Sequence, residues 1–183
     1  GDWAYATAVT VWAYGVGGAK AVGLWAAIRL ILMAFFAPFA AAIADRWPRK
    51  LVMITADLLR CALVSAATTC LALDTPAAPI FILATATAML GSVFRPAQAA
   101  WLPSLVDRPE QLTSANGVAS TVESLSFFIG PALGASLIAA TDIQTVFAIN
   151  AVTFLWSSAL VVGIKARAAA PSERPVAGRW TCR

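Results

Sequence analysis

Histidine is missing altogether from the 183 residues. Its absence removes the commonest general base, the usual zinc ligand and every nucleophile that leans on a neighbouring imidazole. Conventional hydrolases and zinc enzymes are thereby set aside, and no enzyme activity, cofactor or metal is expected. Charge is scarce too: 12% of residues are charged and 60% hydrophobic, where a soluble domain carries about 25% and about 45–50%. Such a chain lacks the polar surface that water requires. Cysteine is limited to Cys61, Cys70 and Cys182, an odd number without CxxC spacing, which argues against a disulfide framework. The net charge of +4 does not point to nucleic acid, because the basic residues fall between apolar runs and form no patch on a solvated fold.

What the chain does have is apolar length. A helix needs about 20 mainly apolar residues to cross the hydrocarbon core of a bilayer. Six runs, 3–19, 21–44, 51–73, 79–100, 114–140 and 143–164, reach or approach that length. The second carries Pro38, where a kink is expected. A signal peptide would be a single N-terminal run, and barrel strands would alternate over about 10 residues, so neither fits. The fold expected is all-α, a polytopic helical membrane protein with a six-helix region over residues 1–167 and a cytoplasmic linker or tail over 168–183. The first run begins beside Gly1, so it reads as clipped and the chain as a fragment. Gly15-Val-Gly-Gly-Ala-Lys20 lacks the spacing of a phosphate loop and the Ser or Thr that follows one.

Loop charge sets the orientation. If the first run leads outward, Arg46, Arg49, Lys50, Arg95, Arg108, Lys165, Arg167, Arg174, Arg179 and Arg183 lie inside, and Lys20 alone lies outside. The positive-inside rule then puts both chain ends in the cytoplasm of a cell with this protein in its plasma or inner membrane.

Asp2, Arg29, Asp57, Arg60 and Glu123 fall within apolar runs. An ionisable group at mid-membrane costs about 2.5–3.5 kcal/mol on insertion scales and turns toward protein or a wet cavity. Arg29, Arg60 and Glu123 lie about 12–14 Å from the start of their runs, near mid-membrane. Asp57 and Arg60 are three residues apart, on one helix face, and suit a structural ion pair. On the fifth run Asn116, Ser120, Glu123, Phe127, Gly130 and Gly134 make one stripe. It is polar toward the cytoplasm and small toward the outside, with Pro131 beside the GxxxG spacing. Two readings stand, a packing seam and a cavity-facing or gating surface.

The connection Ala41-Ala-Ile-Ala-Asp-Arg-Trp-Pro-Arg-Lys50 resembles the signature loop of the major facilitator superfamily, G-x-L-A-D-R-x-G-R-K. Asp45, Arg46, Arg49 and Lys50 match, and Ala41 and Pro48 stand where the family has glycine. Phe94-Arg-Pro-Ala97, Leu102-Pro-Ser-Leu-Val106, Leu112 and Asn116 resemble the branch of enterobactin and macrolide exporters, or transmembrane secretion effectors. Gly130-Pro131-x-x-Gly134 is similar to the core of the antiporter motif. The resemblance implies the N-terminal six-helix half of a carrier that works by alternating access, with a second half missing. It implies proton-coupled export of a small amphipathic molecule of drug or siderophore type. It makes Asp2, Arg29 and Glu123 candidates for proton or substrate handling, and Asp45, Arg46, Arg49, Lys50 and Arg95 a cytoplasmic gating set. The expected partners are the lipid bilayer, substrate and protons. The alternative is a non-transporting six-helix scaffold that binds a partner subunit through its small-residue stripe.

Overall fold

A computed structural model describes residues 1–106 and 108–164. The expected tail at 168–183, with Lys165, Arg167, Arg174, Arg179, Cys182 and Arg183, lies outside the described residues. Five α-helices follow one another, α1 (Asp2–Arg46), α2 (Arg49–Ala72), α3 (Ala77–Trp101), α4 (Pro109–Ala140) and α5 (Ile143–Gly163), with a short 3-10 turn at Leu102–Leu105 after α3. No strand occurs among the described residues, and all five helices are long and apolar enough to cross a membrane.

The first two apolar runs are joined in α1 without a loop. Forty-five residues would make a straight rod of about 67 Å, more than twice the hydrocarbon thickness of about 30 Å. The rod breaks at Gly17 and Gly18, the residues of α1 with non-helical dihedrals. Gly18 (φ 63°, ψ −158°) occupies a region open essentially to glycine alone. The two arms fold back on each other. Trp12 and Trp25 would stand about 20 Å apart along a straight helix, yet both meet the Phe81 ring, at centroid distances of 4.8 and 6.3 Å. The first two expected runs are therefore the two arms of α1, with a glycine break in place of the expected loop near Lys20. Through Pro38 the backbone stays helical.

The other connections are as economical. Trp47 (φ −108°, ψ 154°) and Pro48 (φ −55°, ψ 116°) join α1 to α2 through extended backbone, so the turn closes without the glycines of the family loop. After α2, Asp74 takes the left-handed conformation (φ 48°), one that aspartate tolerates. The Thr75 N–H donates to Cys70 O at 3.1 Å and the Asp74 N–H to Leu71 O at 3.3 Å, the paired bonds of a Schellman end. Asp142 caps α5, its carboxylate accepting the Thr145 N–H at 2.6 Å. That bond holds the exposed Asp142 carboxyl below the ordinary aspartate range.

Helix α2 packs between α3 and α5, while α1 lies against α3 and α4. One apolar cluster gathers Val9, Trp25, Val64, Ile80, Phe147 and Phe154 from both arms of α1, α2, α3 and α5. The other, near the 45–50 turn, joins Ala40, Ala44, Met53, Ala97, Trp101 and Val161. Alanine recurs in both because small side chains let helices in lipid approach closely. Outside these contacts α4 and the second arm of α1 present large apolar side chains such as Phe35, Phe39, Phe128 and Leu133.

Candidate functional site

The fold-back of α1 opens a cavity of about 460 Å³. The first arm contributes Asp2 and Tyr5, the second Trp25 and Arg29, α2 Arg60, and α3 Thr87, Gly91 and Arg95. Three of the five intramembrane charges expected from sequence thus meet in one space.

Arg60 is its most constrained member, with a side chain 8% exposed. Its Nη2 donates to Asp2 Oδ2 at 2.6 Å. Its Nη1 stands 3.8 Å from Asp57 Oδ1, so this i,i+3 contact is the looser of the two. The guanidinium also lies over Phe154, 4.1 Å from the ring centroid, a favourable cation–π position. Gly91 clears its path. A Cβ there would come within 3.3 Å of Nη2. The two carboxylates differ in setting, since Asp57 is 1% exposed and the Asp2 side chain 57%.

Arg29 stands apart from these pairs. Its guanidinium lies 5.0 Å from the Trp25 ring centroid, and Trp25 is itself held by an Nε1–H bond to Thr85 Oγ1 at 3.2 Å. The Arg29 Nε is buried without a hydrogen-bond partner.

Glu123 and Arg95 meet at 2.6 Å, both side chains more than half exposed. The structure brings Arg95 to Glu123 and not to Asp45, which takes part in no ion pair among the described residues. The stripe on α4 divides by depth. At Gly130 an added Cβ would strike the Cβ of Trp3, and at Gly134 it would sit 2.8 Å from the Ala4 carbonyl oxygen. Phe127 crosses the Trp3 ring edge-to-face at 4.8 Å. This end is a packing seam against the first arm of α1. The polar end, Ser120 and Glu123, borders a smaller hollow of about 390 Å³ with Trp3, Phe127 and Phe128.

In the turn between α1 and α2, Asp45, Arg46 and Arg49 are exposed. Lys50 reaches across the bundle, where its Nζ donates to Val162 O at 2.8 Å and Ile164 O at 2.7 Å. It therefore caps the C-terminal carbonyls of α5, where a cation suits the helix dipole. Sequence reasoning did not single out Tyr5, Trp25 or Gly91. Trp25 and Arg29 have the i,i+4 spacing of stacked neighbours, the one available signal. Tyr5 and Gly91 gain their roles only from tertiary packing.

A family profile described as Major Facilitator Superfamily matches residues 1–179. The MFS-type transporter YfiS of Bacillus subtilis is 31% identical over 139 residues, 72% of this chain and 32% of its own. Macrolide efflux protein A of Streptococcus pyogenes is 28% identical over 135 residues, 73% of this chain and 33% of its own. Macrolide efflux protein A of Enterococcus faecalis is 29% identical over 133 residues, 72% of this chain and 41% of its own. The chain spans about a third of the length of the first two relatives. No solved structure matches it significantly.

Proposed function

Because the chain belongs to the major facilitator superfamily, a family of membrane transporters, we propose that residues 1–167 are the N-terminal six-helix half of a proton-coupled exporter of small amphipathic molecules. The observation that carries this reading is the Asp2–Arg60 pair at 2.6 Å on the wall of the 460 Å³ cavity. Protonating a carboxylate removes its charge-assisted hydrogen bond. Once Asp2 is neutral, Arg60 is left to Asp57 alone, and the first arm of α1 loses its ion pair with α2. Glu123 offers a parallel site, since its protonation frees Arg95 and loosens α4 from α3. Either event biases an inward-open against an outward-open state.

In this reading both chain ends are cytoplasmic, the tail after residue 167 leads toward a second half, and the protein resides in the plasma or inner membrane. Asp45, Arg46 and Arg49, exposed at the α1–α2 turn, are free to latch that second half, with Lys50 and Arg95 holding α5 and α4. The small-residue seam that would suit a partner-binding scaffold is occupied inside the chain by Trp3 and Ala4, which favours the carrier.

The test is drug-driven proton movement in everted membrane vesicles containing the whole gene product. Asp2→Asn and Glu123→Gln are expected to flatten the pH dependence of export. Unchanged pH dependence in both variants removes the proton site.

A further inference from the structure

We infer that the cavity carries a binding site for the negatively charged group of an amphipathic organic anion, built on Arg29 and Tyr5; this rests on the transporter reading above and specifies its substrate class. Three arginines line the cavity. Arg60 is matched in charge by Asp2 and Asp57, although its Nε also lacks an acceptor, and Arg95 is matched by Glu123. Arg29 has no carboxylate among the described residues, and its Nε is buried with no acceptor.

A second donor without a well-formed bond shares the space. Tyr5 is 6% exposed and lines the cavity; its hydroxyl interacts with the Thr87 side chain, whose own proton goes to Leu83 O, and makes no hydrogen bond of good geometry. Buried donors without partners are rare because each has given up its hydration with nothing in return. A carboxylate or sulfonate supplies what both lack, since it is acceptor-only and suits the fork of a guanidinium.

The surroundings set the rest of the ligand. Trp25 beneath Arg29 is fixed by Thr85, so the guanidinium is held over an aromatic platform, and Val9, Leu30 and Met33 add apolar wall. A flat apolar body with one anionic end fits this combination. A cationic ligand would have to approach an unneutralised arginine.

Dansylglycine and dansylglycinamide, which differ only in the carboxylate, test the inference. Binding to the whole gene product in phosphatidylcholine nanodiscs is read by energy transfer from tryptophan to the dansyl group. The protein is expected to prefer the acid over the amide by about tenfold, as a charge-assisted pair warrants. Arg29→Gln should bring that ratio to about one, Arg29→Lys should retain part of it, and Tyr5→Phe should lower acid affinity by about threefold.

Equal affinity for acid and amide, a ratio unchanged in Arg29→Gln, or binding of neither probe overturns the site. Displacement of dansylglycine when phosphatidylglycerol replaces phosphatidylcholine assigns it to a lipid headgroup and overturns the organic-anion assignment. The two readings fail separately. Selective binding without any export removes the transporter and leaves the anion site, whereas export with no acid preference does the reverse.

Discussion

Gly134→Ala tests a close contact between helix backbones, that of α4 on the first arm of α1. The new Cβ would lie 2.8 Å from the Ala4 carbonyl oxygen and 2.9 Å from the Ala4 Cα, well inside the separation of about 3.5–4.0 Å at which carbon atoms attract. Both neighbours are main-chain atoms, so no rotamer change relieves the contact and α4 must slide away from the first arm of α1. Overpacking of this kind costs about 1–3 kcal/mol. Alanine returns about 1 kcal/mol through its better helix propensity, leaving a net loss of about 0–2 kcal/mol. Gly117 on the same helix has nothing within 4 Å of an added Cβ, so Gly117→Ala keeps only the gain. The two variants should therefore differ by about 1–3 kcal/mol. Unfolding in mixed micelles with increasing dodecyl sulfate, followed by tryptophan fluorescence, measures that difference, with Trp3 reporting directly from the seam. Equal stability of the two variants, within about 0.5 kcal/mol, would refute close packing of α4 on α1.

Arg60→Met leaves Asp57 buried and uncompensated, and should cost about 3–5 kcal/mol in the same unfolding assay; adding Asp57→Asn should recover most of it. Lys50→Met opens the carbonyls of Val162 and Ile164 and should cost about 1 kcal/mol, with faster amide exchange confined to the last turn of α5. At the other end of that helix, the Asp142 carboxyl is held below its ordinary value of 3.8 by the Thr145 N–H. Its stabilisation is thus complete above that value and lost as pH falls through the lower folded-state value. Amide protection in the first turn of α5 should drop on acidification below about pH 4, and Asp142→Asn, which caps without titrating, should show no such drop.

The crossings were legible because lipid leaves the backbone few options, and a run of apolar residues must satisfy its own hydrogen bonds as helix. Runs read as 51–73, 79–100 and 143–164 became Arg49–Ala72, Ala77–Trp101 and Ile143–Gly163. The fifth, read from 114, starts five residues earlier at Pro109, because its first turn is a polar proline-led start that hydropathy does not register. The charge partners were legible only where they were local. Spacing joins Asp57 to Arg60, but nothing along the chain links Arg60 to Asp2, or Arg95 to Glu123.

Those distant partners depend on one short stretch of backbone. The glycines of Gly15-Val-Gly-Gly-Ala-Lys20, unremarkable as a phosphate loop, hold the one left-handed glycine among the described residues. Without the break at Gly17 and Gly18, α1 would continue as a rod and carry Asp2 and Tyr5 about 40 Å from Arg29, with no shared cavity. Any side chain at Gly18 must adopt a conformation that L-residues avoid, so Gly18→Val strains the fold-back itself. The acid–base pair, the unmatched arginine and the cavity they share thus have a common origin in backbone freedom, and the chemistry of the site rests on a residue with no side chain.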